Sequence, residues 1–290
     1  MKPRREARYL VVLTAAALTG SAPPLPEKRV DFQTLYRLAV RHKVEGIAYV
    51  ALSRVPGLPD GTLALFEQAY KKLLLAENMQ RGKGMKILNA FEESGIDCAA
   101  LKGFVLRPLY PLPGMRTMGD IDVLIRKEQA GDVRAVMERL GYAAADFGRN
   151  PDVYVKRPIV NVEIHKALIQ DKTDFFDTMW TRLVPEEGKR HIHAMTREDF
   201  YLFMLAHLKK HFVGSGTGIR SVTDVWVYRK QYGAELGFAY IAAQLEKSGL
   251  TEFEREVVEL CECWFGGGER TKAARRIERR VLFEGVFGRP

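Results

Sequence analysis

Gly119-Asp120-Ile121-Asp122-Val123-Leu124-Ile125 has the alternation of a half-buried strand. Residues two apart on an extended strand project from the same face, so Asp120 and Asp122 stand side by side while Ile121, Val123 and Ile125 turn to a core. Neighbouring carboxylates repel unless positive charge sits between them. Magnesium, which takes oxygen ligands and substrate phosphates, would supply that charge. A strand edge with two solvated acids would carry the same letters. The stretch Val160-Asn161-Val162-Glu163-Ile164-His165 bears on the choice, because Asn161, Glu163 and His165 alternate with three apolar residues, leaving one face polar and one apolar. Paired beside the first strand, it brings Glu163 as a third carboxylate, able to complete a two-metal site or to accept a proton from an attacking hydroxyl. The bland alternative is an antiparallel sheet with one wet face. His165 reads as a neighbour that orients Glu163 or packs at the sheet edge.

Around these strands the hydrophobic period changes twice. Cys98-Ala99-Ala100-Leu101 is another short apolar run that suits a buried strand, followed by a helix-like stretch from Phe104 to Tyr110 and a Pro/Gly-rich loop from Pro111 to Gly119. A helix is expected from about Lys127 to Leu140 with Gly141 as its stop, and extended chain over Val153 to Lys156 and Ile159 to Ala167. Upstream, Asp31 and Asp60 are placed to cap two helices; downstream, Thr196 with Asp199 and Thr251 with Glu254 have capping-box spacing. The fold class is α+β (mixed α/β): a small mixed sheet with helices, flanked by helical regions. The expected organisation is an N-terminal helical region over 1–93, an α/β core over 94–193 and a C-terminal helical domain over 194–290.

The chain has 290 residues and 47% apolar content, enough for a substantial core, and 45 Lys and Arg against 36 Asp and Glu give +9. That surplus favours polyanionic partners such as phosphates or nucleic acid. Cys98, Cys261 and Cys263 are odd in number and lack the spacing of a CxxC pair, which fits a reduced cytoplasm. Lys2, Arg4, Arg5 and Arg8 precede the apolar run Tyr9 to Leu18, as in an export signal, but an amphipathic first helix stopped near Thr19-Gly20 is the preferred reading. No run reaches the roughly 18 apolar residues that span a bilayer, so no membrane partner is expected. His207 and His211, four apart, share a helix face, yet Leu208 stands where a zinc peptidase needs Glu. With Arg220 and Asp224 on the next helix they form either a polar wall facing a ligand or hydrogen bonds between helices. Gly214-Ser215-Gly216-Thr217-Gly218 lacks the Gly-Lys-Ser/Thr ending of a P-loop and reads as a flexible link. The basic residues from Arg270 to Arg280 read as the solvated face of an amphipathic helix rather than a nucleic-acid grip.

Ala100-Leu101-Lys102-Gly103, Arg116, Gly119 to Ile125 and Val162-Glu163-Ile164-His165 together resemble the uncharacterised bacterial nucleotidyltransferase family of the DNA polymerase β-like superfamily. His207, His211 and Asp224 resemble the helical C-terminal half of that family. The resemblance implies transfer of a nucleoside monophosphate from an NTP, with ATP the expected donor, to a hydroxyl acceptor, with pyrophosphate leaving. By the same resemblance Asp120 and Asp122 would hold two magnesium ions and Glu163 the catalytic one. Nucleotide contacts are expected from Lys102, Gly103, Arg116, His165, His207, His211 and Asp224. Superfamily members usually carry Gly-Gly or Gly-Ser at the turn that cradles the triphosphate; this chain has Lys102-Gly103, which keeps a close backbone approach and a point charge but loses a hydroxyl donor. Arg116 either clamps phosphate oxygens bidentately or bridges a local acid. A nucleotide-binding module without turnover, with a degenerate triphosphate turn, is the alternative, and metal-dependent phosphoester hydrolysis a third reading. The acceptor, whether small molecule, protein or RNA, leaves no readable signature.

Overall fold

The computed structural model describes residues 4–26, 29–156, 160–169 and 174–284. Lys2 of the basic leader and Ile159, the expected start of a strand, lie outside them. Four helices come first: α1 (Arg4–Thr19), α2 (Phe32–Arg41), α3 (Glu45–Leu52) and α4 (Thr62–Glu93). Asp31 caps α2, its Oδ1 accepting from the backbone N–H groups of Gln33 and Thr34 at 3.0 and 3.3 Å, and Leu35, Leu38 and Ala39 form the buried face. Asp60 does not cap α4. The position before that helix belongs to Gly61, whose φ of 74° suits a residue without Cβ.

The sheet follows, with β1 (Cys98–Ala100), α5 (Gly103–Leu106), β2 (Asp120–Ile125), α6 (Ala130–Arg139), β3 (Ala143–Asp146), β4 (Asp152–Lys156), β5 (Val160–His165), β6 (Val184–Pro185) and β7 (Ile192–Ala194). Its spatial order is β3-β4-β5-β2-β1-β7-β6. The β2–β5 and β1–β7 pairs are parallel and the rest antiparallel. The expected mixed sheet with helices is therefore observed, with three strands more than its periodicity announced: β3 is wholly exposed and β6 and β7 span two and three residues, too few to register a period.

Alternation along β2 separates two cores. Ile121, Val123 and Ile125 pack with Ile87, Leu88 and Phe91 of α4 and Val133, Val136 and Met137 of α6; each such buried side chain is worth roughly 1.5–3 kcal/mol. The opposite face, through Ala99 and Leu124, joins a cluster shared by the N-terminal helices and the C-terminal ones. These last are α7 (Arg197–Val213), α8 (Ile219–Tyr232), α9 (Phe238–Lys247), α10 (Thr251–Cys261) and α11 (Lys272–Glu284). The same face of β2 that presents Leu124 to the helices presents Asp120 and Asp122 further toward the strand's start.

Thr196 caps α7 as expected, its Oγ1 accepting from the Asp199 N–H at 3.1 Å. Thr251 and Glu254 do not form a capping box: Leu250 precedes α10 with no side-chain cap, and Glu254 accepts instead from Tyr201 Oη at 2.6 Å and Arg229 Nη1 at 3.3 Å. The basic helix α11 buries Ala274, Ile277, Val281 and Leu282, while Arg270 pairs with Glu278 and Arg276 with Glu256, so the amphipathic reading holds. The N-terminal apolar run is a helix, with Leu10 and Leu13 fully buried. Among the described residues no helix is long and apolar enough to cross a membrane.

Candidate active site

Parallel pairing of β2 with β5 sets Asp120 opposite Asn161, Asp122 opposite Glu163 and Leu124 opposite His165. Because side chains alternate across a sheet, both strands show their polar residues on one face. Asp122, 7% exposed, is the centre of the cluster. Its Oδ1 receives Lys102 Nζ at 2.5 Å and lies 2.9 Å from His165 Nε2, and that nitrogen is 3.5 Å from Glu163 Oε2. His165 thus holds Asp122 more closely than it holds Glu163, the residue it was expected to orient.

The electrostatics divide the two aspartates. Burial works against ionised Asp122, but the hydrogen bond from His165 and the Lys102 charge prevail and hold its carboxyl well below the usual range. Burial opposes a charged His165 as well, yet its bonds to Asp122 and Glu163 push it up. Asp120 moves the other way: burial, then the charges of Glu163 and Asp122, raise its carboxyl. The acids are crowded enough for a cation to relieve.

Asp122, Glu163 and His165 each offer one ligand atom within 4.8 Å of the others. That is a fit for a divalent cation held by oxygen with one imidazole. The set differs from the expected Asp120, Asp122 and Glu163 by exchanging Asp120 for His165. Lys102 Nζ already bonds Oδ1, one of the two oxygens that Asp122 offers.

The loop from Pro111 to Gly119 that delivers β2 is fastened to α4. Tyr70 Oη donates to Pro113 O at 2.8 Å, the Gly114 N–H donates to Glu77 Oε2 at 2.7 Å, and Gln80 Nε2 donates to Met118 O at 3.0 Å. From the same loop Arg116, 5% exposed, sends Nε and Nη2 to the two oxygens of Asp224 at 2.7 and 2.9 Å. Tyr110 Oη completes the Asp224 carboxylate at 2.7 Å. Of the two readings of Arg116 the ion pair is realised, with an acid 108 residues away on α8 rather than a local one.

These residues line one cavity of about 270 Å³. The sheet side contributes Asp120, Asp122 and Glu163, the β1–α5 turn Lys102 and Gly103, and the loop Arg116. His207 and His211 come from α7 and Asp224 from α8. Of the residues expected to hold metal or nucleotide, only His165 does not line the cavity; it bonds Asp122 instead. Gly103 is required by space, since a Cβ there would lie 2.4 Å from Met118 Sδ and 2.7 Å from Arg116 Nη1. The histidine pair meets Nε2 to Nε2 at 3.2 Å, with His211 Nδ1 2.8 Å from Ser215 Oγ. Burial first, and then the Lys102 charge, lowers both imidazoles, so they face the cavity uncharged. Each of the two readings of this pair is partly realised: the rings bond to one another and also wall the cavity. Two further lining residues, Thr217 and Arg220, carried little sequence signal: Arg220 only its place one turn before Asp224, Thr217 only its glycine neighbours.

Residues 28–266 match the model of a family described as uncharacterised nucleotidyltransferase. No curated protein matches the chain. Among solved structures it is similar to the antibiotic-resistance factor ANT(2'')-Ia in solution, at 16% identity and a TM-score of 0.45 over 62% of this chain and 98% of that one. A crystal structure of ANT(2'')-Ia in complex with adenylyl-2''-tobramycin gives the same identity and score over 58% and 98%. An antigenic nucleotidyltransferase-like protein from Paracoccidioides brasiliensis is similar at 13% identity and a TM-score of 0.32, over 64% and 91%.

Proposed function

The chain belongs to the uncharacterised nucleotidyltransferase family, and on that premise we propose that it transfers a nucleoside monophosphate from an NTP, ATP first among candidates, to a hydroxyl acceptor in a magnesium-dependent reaction. The observation that carries the reading is the register of β2 and β5, which sets Asp122 directly opposite Glu163 in one polar face. Asp120, Asp122 and Glu163, with His165 at the rear, are the residues to hold the cation. Bound there, it would neutralise phosphate oxygens and the charge that develops on them.

The chain's own groups divide the remaining work. Lys102 and the first-turn Arg220 offer positive charge to the phosphates from two sides of the cavity. Glu163, half-buried beside Asp122, accepts the proton of the acceptor hydroxyl as its oxygen bonds to the α-phosphorus. The bond from that phosphorus to the bridging oxygen breaks, and pyrophosphate leaves with the electron pair. His165 positions Asp122, and Leu106, Met118, Phe203 and Val225 give the cavity an apolar lining that limits competing attack by water.

The test is release of pyrophosphate from each labelled NTP with magnesium in the presence of a cell extract as acceptor source, while tracking which fraction acquires label. Asp120→Ala and Asp122→Ala should each lower the rate by at least about 100-fold, the scale on which disturbing a metal site acts. Undiminished release in both variants defeats the proposal. A second reading, a nucleotide-binding module without turnover, is favoured by the Lys102 ammonium on Asp122. It expects NTP to bind and no pyrophosphate to appear.

A further inference from the structure

We infer that the segment Gly214-Ser215-Gly216-Thr217-Gly218 and the first turn of α8 form an oxyanion subsite on the helical wall of the cavity, one that receives a phosphate group. The inference rests on the transferase reading for its context and goes beyond it by naming the chemistry recognised at this wall. The segment does join α7 to α8, but it is no slack link: Gly216, Thr217 and Gly218 are buried. His211 Nδ1 meets Ser215 Oγ at 2.8 Å and the Gly216 N–H donates to His211 O at 2.8 Å, fastening the turn to α7.

Two buried polar atoms in this wall lack hydrogen-bond partners among the described residues. Thr217 is 3% exposed and its Oγ1 has no hydrogen-bond partner among the described residues. The same holds for Arg220 Nε, while Nη1 of that guanidinium donates to Thr117 O at 3.2 Å. Both residues line the cavity. A buried donor left unmade carries its full desolvation penalty, and such groups in a native fold call for a partner from outside the chain.

The charge around Arg220 points the same way. Asp224, one turn along α8, is already taken by Arg116 and Tyr110. Asp122, which also acts on Arg220, is held by Lys102 and His165, and buried Glu45, which feels Arg220, leaves its own Oε2 without a hydrogen-bond partner among the described residues. Burial and then the Arg116 charge disfavour the protonated guanidinium, a cost that an anion in the cavity would offset. The residue before helix α8, Gly218, supplies no side-chain cap, and although the Ile219 N–H donates to His42 Nδ1 at 3.4 Å, the positive end of the 14-residue helix backs the same spot.

A hydroxyl donor, a guanidinium edge and a helix N-terminus suit the oxygens of a phosphate. That phosphate has two sources: the outer end of the donor triphosphate, or a phosphorylated acceptor. Calorimetric titration of the full chain in EDTA with inorganic phosphate, pyrophosphate, ATP and AMP separates them, because neither metal nor turnover enters the readout. The dissociation constant for pyrophosphate or phosphate should rise about 2- to 10-fold in Thr217→Val, the worth of one hydroxyl bond, and about 10-fold or more in Arg220→Lys. Asp122→Ala should leave that binding in place while abolishing turnover, so failure of the subsite and failure of the transferase reading are told apart. Mutual exclusion of pyrophosphate and ATP, with AMP indifferent to both variants, assigns the subsite to the donor. Simultaneous binding of phosphate and ATP, with phosphate alone weakened by Thr217→Val, assigns it to the acceptor. Wild-type constants for every anion in both variants, or no anion binding by the wild type at millimolar concentration, overturn the inference.

Discussion

Replacing Asp224 by Asn tests how the cavity is held together. Arg116 is buried, and both of its bonds at 2.7 and 2.9 Å go to this one carboxylate, which also takes the Tyr110 hydroxyl at 2.7 Å. Asparagine keeps the shape but turns an amide N–H₂ toward donors and removes the counter-charge, so a guanidinium 5% exposed loses the carboxylate that bonds it directly. Breaking a buried pair from one side costs about 3–5 kcal/mol. With an unfolding entropy of about 2.1 cal/mol/K per residue, this chain should lose about 5–8 °C in Tm. Urea unfolding followed by tryptophan fluorescence reports it directly, since Trp226 is buried on the same helix as Asp224. In a cycle with Arg116→Met and Asp224→Leu, the double variant should recover about 2–3 kcal/mol over the sum of the singles. The coupling should also be insensitive to salt between 0.1 and 1 M, because ions do not screen a pair removed from solvent. A loss under about 1 kcal/mol for Asp224→Asn, or additive single effects, would show that the bidentate geometry contributes nothing to stability.

Gly103→Ala forces a Cβ to within 2.7 Å of Arg116 Nη1, a group Asp224 cannot release. It should destabilise by about 1–3 kcal/mol, as overpacking does, and weaken ATP binding measured by calorimetry; wild-type values of both would contradict the packing argument. His42, wholly buried, has its imidazole lowered to about 4 by burial and by Arg41. The unfolded chain therefore takes up a proton near pH 6.5 that the folded chain refuses until about 4. Its contribution to stability is complete above 6.5 and lost as pH falls through that window, by about 3 kcal/mol in all. The urea midpoint of His42→Asn should fall less steeply than that of the wild type between pH 6.5 and 4, and parallel profiles would exclude His42 as the cause.

What the sequence made legible follows from which interactions are local. A period of two along Asp120 to Ile125 and Val160 to His165 placed three carboxylates on wet faces, and β2 and β5 are neighbours in the sheet. The helices on either side were equally readable, because Leu35 and Leu38 or Ile277 and Val281 repeat with the helical turn. Long-range partners left no trace: nothing near Arg116 names Asp224, and nothing near Thr251 warns that Glu254 bonds Tyr201 across two helices. Strands of two or three residues such as β6 and β7 are made by the neighbours they pair with, so no pattern within them gives them away. Thr217 was obscured for another reason, since a glycine-rich run reads as freedom until the burial of its residues is known.

Lys102 is a local residue with a long-range partner, Asp122. It stands where the resemblance expects glycine, and it adopts φ 43° and ψ −108°, a conformation that favours glycine. The turn lets the Leu101 N–H finish its bond to Asp122 O at 3.0 Å before the chain swings the lysine ammonium back to Asp122 Oδ1. Backbone strain of this kind costs about 1–3 kcal/mol, and a hydrogen bond to a charged group returns about 1.5–3. The two nearly cancel, so stability does not account for the lysine. Its effect is electrostatic: after the His165 hydrogen bond it favours ionised Asp122 beside Glu163, while at Asp120 burial and the charges of Glu163 and Asp122 outweigh the Asn161 hydrogen bond and the weaker pull of Lys102 and push the carboxyl up. A fixed ammonium does for one acid of the cluster what a divalent cation would do for all three. The Lys102-Gly103 turn therefore places its strain at a position that, together with His165, bears on the charge of Asp122.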